Sequence, residues 1–144
     1  MDYGSVDMTE TLILVNSKIT NSHGETEEMT LYAKAQFQIK EGVRYLIYDE
    51  SEVTGMEGTK TMLRYDGVDL NIKRFGSVNS NLKITPDEVH ENHYKTPYGV
   101  FTMITKGNVI KWQEIPMAIQ IDYDLEIVGN DEKTRVIIEI KENR

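Results

Sequence analysis

The chain is predicted to be all-β, a single antiparallel up-and-down closed barrel of about eight to ten strands. Three observations predict it. Met117, Ile119, Ile121, Tyr123, Leu125 and Ile127 are apolar at every second position, with Gln120, Asp122, Asp124 and Glu126 between them. A pleated strand with one buried face has this period of two; a helix with it would scatter its apolar groups around the whole cylinder. Comparable alternation recurs along the chain, and turn residues separate the runs at short intervals. An open sheet of that many strands exposes two adhesive edges, which closure removes. A two-sheet sandwich is the competing architecture, and the consecutive hairpins favour the barrel.

The first strand is expected over Thr9 to Thr20, with Ile13, Val15 and Ile19 on one parity. Residues 1–8 are read as an N-terminal tail and 9–143 as one barrel domain. Asn21-Ser22-His23-Gly24 supplies a turn that tolerates positive φ. From Met29 to Ile39 the apolar residues again alternate with polar ones. Glu41-Gly42 turns the chain into Val43 to Tyr48, apolar on both parities and so expected to be covered on its outer side too. Gly55 and Gly58 mark a loop or bulge before Thr59 to Tyr65. Asp66-Gly67 reads as a two-residue hairpin into Val68 to Phe75, which Gly76 ends. Leu82 to Thr85 is a short strand. Thr85-Pro86-Asp87-Glu88 then has the form of a helix start, with a Thr cap, Pro first and Glu three after the cap. A polar insertion leads to Tyr94 and to Tyr98 through Thr105. Lys106-Gly107-Asn108 is read as a turn into Val109 to Trp112. The long strand described first, the turn Gly129-Asn130-Asp131 and Val136 to Ile140 complete the set.

At 144 residues the chain is long enough to bury a real core. It contains no cysteine, which removes disulfides, cysteine nucleophiles and thiolate metal sites. The acidic start lacks the basic and apolar regions of a secretion signal, and no apolar run reaches the length of a membrane span. A cytoplasmic protein without membrane contact is therefore expected. Sixteen basic against twenty-four acidic side chains give a net charge of −8, a field that repels phosphate backbones. Lys73-Arg74 and Lys133 to Arg135 are the local basic exceptions, and neither is interleaved with stacking aromatics. No nucleic-acid partner is expected.

Tyr94-Lys95-Thr96-Pro97-Tyr98-Gly99 with Met103, and Tyr123-Asp124-Leu125-Glu126 with Gly129, form a motif set that resembles the YwiB-like family of bacterial proteins. Tyr48-Asp49-Glu50 followed by Gly55, and Arg74-Phe75-Gly76, fit the same family, so the resemblance runs from Thr9 to the C-terminus. It implies a lipocalin-like (calycin) β-barrel of unknown function. The chain lacks the N-terminal Gly-x-Trp of true lipocalins and the Arg-x-Tyr pair of intracellular fatty-acid carriers. Neither group's ligand is carried over, since fold alone does not transfer function.

Candidate chemistry is sparse. His90 and His93, beside Glu88 and Glu91, have a spacing that suits metal ligands on a helix, but the segment is polar throughout and is read as a solvated turn. No metal and no cofactor are expected. Asp49, Glu50 and Glu52 cluster at a strand end, and Glu50 shares the parity of Leu46 and Tyr48, which can carry it inward. Arg74 shares a face with Leu70 and Ile72, so an inward guanidinium needs either a carboxylate partner or an anionic ligand. The favoured expectation is a structural Arg–Glu pair closing one end of the barrel, with anion capture as the alternative. Tyr98, held between Pro97 and Gly99, and Tyr123, on the apolar face of the longest strand, are expected to bond strands together or to line the polar end of a pocket. No Gly-x-Ser-x-Gly elbow or phosphate-cradling loop is present. The expected function is thus non-enzymatic binding of a small amphipathic or anionic ligand by Tyr48, Glu50, Arg74, Tyr98 and Tyr123. A filled barrel that docks a protein partner or a second copy on its outer face is the alternative, and an enzyme at the barrel mouth the third.

Overall fold

A computed structural model describes residues 9–77, 79–130 and 132–143. The proposed tail, residues 1–8, and Asp131 of the last turn lie outside the described residues. Ten strands follow in order: β1 (Thr9–Thr20), β2 (Thr26–Lys40), β3 (Val43–Asp49), β4 (Thr59–Tyr65), β5 (Leu70–Gly76), β6 (Ser80–Ile84), β7 (Val89–Thr96), β8 (Gly99–Gln113), β9 (Ala118–Ile127) and β10 (Lys133–Glu142). All ladders are antiparallel, in the order β6-β5-β4-β3-β2-β1-β10-β9-β8-β7. Pairing of the first strand with the last, from Ile13 opposite Glu142 to Thr20 opposite Arg135, curls this meander into a nearly closed up-and-down barrel.

The alternation does what it predicts. Ile13 and Val15, Leu46 and Tyr48, Leu70 and Ile72, Ile119, Ile121 and Tyr123, and Val136, Ile138 and Ile140 all point inward and are buried. Burying a branched aliphatic side chain is worth about 1.5–3 kcal/mol, so this interior supplies most of the driving force for closure. On β3 the outward Tyr45 and Ile47 are half-buried, lying opposite Gln38 and Arg64, and Gln36 and Met62, in the neighbouring strands. Long neighbours thus supply the outer cover that a two-sided strand needs.

In an up-and-down barrel the turns alternate between ends. One end carries the β2–β3, β4–β5, β6–β7 and β8–β9 turns. There Tyr65 and Trp112 stack across the interior, ring centroids 5.4 Å apart and planes 17° apart, and fill it. An Arg44–Glu114 ion pair ties β3 to the β8–β9 turn at the same end. The other end carries the β1–β2, β3–β4, β5–β6, β7–β8 and β9–β10 turns and forms the mouth.

Three local expectations are corrected. Lys106-Gly107-Asn108 is not a turn but a bulge within the continuous strand β8, where the register to β9 shifts between Gly107 and Val109. Glycine stands at 107 because a Cβ there would lie 2.3 Å from the Thr85 carbonyl oxygen. Close approach of two backbones is the reason, not turn geometry. Second, Thr85 to Glu88 starts no helix. Asp87 donates its N–H to the Gly107 carbonyl at 2.9 Å, Pro86 bridges Gly107, and the supposed polar insertion is strand β7. Backbone bonds across the barrel outcompete the capping signal here. Third, the β4–β5 turn has four residues, because the Asp66 carboxylate accepts from the N–H groups of Val68 and Asp69 and pushes the pairing back to Tyr65 opposite Leu70.

The β6–β7 junction closes differently. These strands share no ladder among the described residues. Instead the buried Asn92 accepts the Lys83 N–H at 2.9 Å through Oδ1, and Thr105 donates to the Lys83 carbonyl at 2.5 Å. Asn92 Nδ2 also reaches the Met103 carbonyl and the Thr105 hydroxyl, both at 3.3 Å. Side-chain groups thus satisfy part of an edge that main chain leaves open.

Candidate functional site

Four neighbouring strands bring the polar interior of the mouth together. Tyr48 on β3 lies opposite Thr61 on β4, Thr61 opposite Arg74 on β5, and Arg74 opposite Ser80 on β6. Glu50 extends β3 by one more inward position, since its N–H bonds the Thr59 carbonyl at 2.8 Å. A one-turn 3₁₀ segment follows, Glu52–Thr54, capped by the Ser51 hydroxyl and ended by Gly55 in the left-handed region. It folds Thr54 and Met56 over the mouth. From the opposite wall come Tyr94 (β7), Met103 (β8) and Tyr123 (β9).

Together they enclose a cavity of about 270 Å³, at the small end of the roughly 300–1,000 Å³ typical of small-molecule sites. Tyr48, Glu50, Arg74 and Tyr123, four of the five residues expected to bind a ligand, line it. The fifth, Tyr98, does not. It sits at the tip of the β7–β8 turn with 94% of its surface exposed. Pro97-Tyr98 is the hairpin turn itself, so the ring lies beyond the last ladder pair, Thr96 opposite Gly99. Tyr94 takes the inward place instead. Once β7 is recognised as a strand, its parity with Asn92 identifies it.

Glu50 is only 8% exposed and accepts a hydrogen bond from the Thr61 hydroxyl at 2.9 Å. Arg74 is half-buried. Its Nε is buried without a hydrogen-bond partner, and no ion pair among the described residues involves it. The expected structural Arg–Glu pair therefore does not form. Burial pushes the Tyr48 phenol well above its ordinary range, the neighbouring Glu50 carboxylate adds to this, and Arg74 opposes it. Tyr123 is raised by burial too, again opposed by Arg74. Both phenols feel the guanidinium, so Arg74 lies near each of them, and Tyr48 lies near Glu50 as well. Both hydroxyls keep their protons at neutral pH, and that of Tyr48 is hydrogen-bonded to the Glu50 carboxylate. The wall thus offers a cation, the neutral donor of Tyr123 and a Tyr48–Glu50 pair.

The other polar clusters are already engaged. His90 and His93 fall on opposite faces of β7, because a spacing of three on a strand reverses the side. His90 Nε2 lies 2.8 Å from the Thr85 hydroxyl and 3.8 Å from Glu88. Asp69, Glu88 and His90 bring ligand-type atoms within 4.8 Å of one another, but Asp69 also accepts from Thr85 and lies 3.7 Å from the Lys83 ammonium. Lys73 and Arg74 point to opposite faces of β5 and form no common basic patch. A wider groove of about 600 Å³ lies at the filled end beside Thr9. Its carboxylates are engaged, Glu10 by the Lys34 ammonium at 3.9 Å, Glu114 by Arg44 and Glu142 by the Met117 N–H at 3.1 Å. No helix among the described residues is long and apolar enough to cross a membrane.

A family model described as a domain of unknown function (DUF1934) matches residues 13–143. The crystal structure of ywiB protein from Bacillus subtilis superposes with a TM-score of 0.74 and 22% identity, over 95% of this chain and 96% of that one. That likeness concerns the barrel. No curated protein matches.

Proposed function

For a chain that belongs to the DUF1934 family, we propose a cytoplasmic, non-enzymatic calycin-type binding protein that holds one small anionic molecule at the barrel mouth. The observation that carries this reading is the Arg74 guanidinium, which lines the cavity with a buried, unpartnered Nε and no ion pair. An arginine left unpaired in a largely apolar wall is costly. An anion offering two oxygens to it removes that cost and gains charge-assisted hydrogen bonds. The Tyr123 hydroxyl, near the guanidinium in the same cavity, adds a neutral donor. Glu50 on the same wall disfavours a dianion, so a singly charged group such as a carboxylate suits the site. A filled barrel serving only as a docking module is less well supported, since the interior is packed at one end and hollow at the other.

Native mass spectrometry of gently purified protein, with the denatured mass as reference, tests the reading together with calorimetric titration of octanoate. The expected result is an acidic adduct lost on denaturation, and octanoate binding that falls at least tenfold in Arg74→Met. Octanoate binding retained by Arg74→Met, or absent from wild type stripped of any adduct, would overturn it.

A further inference from the structure

The inner face of the barrel continues past the cavity and out of the mouth. Phe101 on β8 has the inward parity of Met103, and Ile127 on β9 that of Leu125 and Tyr123. In register, Tyr94 lies opposite Phe101, and Met103 opposite Ile127. These are core-facing positions with no opposite wall. Phe101 is 43% exposed, Ile127 38%, and Val128 beside it 52%. With Tyr94 and Met103 they flank a groove of about 400 Å³ whose lining contains no ionisable carboxylate, amine or imidazole. Tyr94 and Met103 also line the Arg74 cavity, so groove and cavity share a wall.

The polarity is thus inverted relative to an ordinary solvent-filled mouth: charge and hydrogen-bond donors lie inside, an apolar lip outside. The occupant that satisfies both has one anionic end and an apolar remainder too large for 270 Å³. We infer that the ligand class is a linear monocarboxylate, its carboxylate on Arg74 and its hydrocarbon chain leaving the mouth along the lip formed by Tyr94, Phe101, Met103, Ile127 and Val128. The inference rests on the reading of Arg74 as an anion receptor. A single negative charge follows from Glu50 on the same wall, and the linear chain from an apolar groove that shares the Tyr94 and Met103 wall with the cavity.

The test is a titration of butanoate, octanoate and dodecanoate into wild type, Arg74→Met and a Phe101→Ser/Ile127→Ser double variant, with Val128→Ser as a second lip variant. Thermal melts check that each variant is folded. Wild-type affinity is expected to rise about twofold per methylene beyond octanoate, roughly half the gain of complete burial. The double variant is expected to keep butanoate affinity and lose about tenfold for dodecanoate, and Val128→Ser to lose less in the same direction. Flat wild-type affinity along the series, or a dodecanoate affinity that no lip variant lowers, overturns the lip while leaving Arg74 as an anion receptor. Absence of binding by every acid, or binding undiminished in Arg74→Met, removes the receptor reading itself.

Discussion

Replacing Arg74 by Met separates a ligand-binding arginine from a structural one by stability alone. Methionine keeps the apolar stem and removes the guanidinium. In wild type the buried Nε has no partner, and an unsatisfied buried donor costs about 1–3 kcal/mol. The shape change between the two side chains takes back up to about 1.5 kcal/mol. The balance runs from a ligand-free protein about 0.5 kcal/mol less stable than wild type to one about 3 kcal/mol more stable. For a chain of this size that is a melting temperature between about 2 °C lower and about 12 °C higher. An arginine that held the barrel end shut by pairing with Glu50 would behave in the opposite way, since losing one partner of a buried pair costs about 3–5 kcal/mol. Thermal unfolding by circular dichroism, with urea titration to compare the slopes, measures the difference. Glu50→Gln serves as the control: glutamine still accepts the Thr61 hydroxyl, so a loss of no more than about 1.5 kcal/mol is expected. A fall of roughly 10 °C in stripped Arg74→Met, with an unchanged urea slope, would refute the reasoning.

Asn92→Ala removes the side chain that bonds the Lys83 N–H across the β6–β7 junction. A loss of about 2–3 kcal/mol is expected, with faster hydrogen exchange at the Lys83 amide than at ladder amides of β5. The Tyr48 phenol titrates higher folded than unfolded. The stability this contributes is therefore complete below the unfolded value near pH 10 and is lost as pH rises toward the folded value. Melting temperatures above about pH 10 should fall less steeply in Tyr48→Phe than in wild type; parallel curves would contradict the assignment. Asp122 is held below the usual carboxylate range by the Arg135 guanidinium, bonded at 2.6 and 3.1 Å, and by Asn108. Its contribution is present above the unfolded value near pH 4 and is lost as pH falls through the lower folded value. The wild-type acid limb should accordingly be steeper than that of Asp122→Asn between about pH 4 and pH 2.

Much of the barrel was legible in one dimension because a strand's facing is set by parity and needs no knowledge of its neighbours. Ile119 to Tyr123, Val136 to Ile140 and Met29 to Phe37 declare their inner faces in the sequence, and so do Glu50 and Arg74, carried inward by Tyr48 and Ile72. The failures lie where a distant backbone decides. The Thr85-Pro86 signal lost to bonds with Gly107, twenty-odd residues away, and Gly107 looked like a turn because a glycine needed for close approach and one needed for a turn are spelt alike. With β7 unrecognised, Tyr98 was placed where Tyr94 belongs. Sequence alone determined that this chain closes a β-barrel with an arginine, a glutamate and two of the expected tyrosines on its inner face, since alternation is a local property. That Arg74 and Glu50 stay apart, that Tyr65 and Trp112 fill one end, and that the other end is hollow with an apolar lip were decided only by closure. Curling the sheet sets which strands face each other across the interior, and no local pattern encodes those distances.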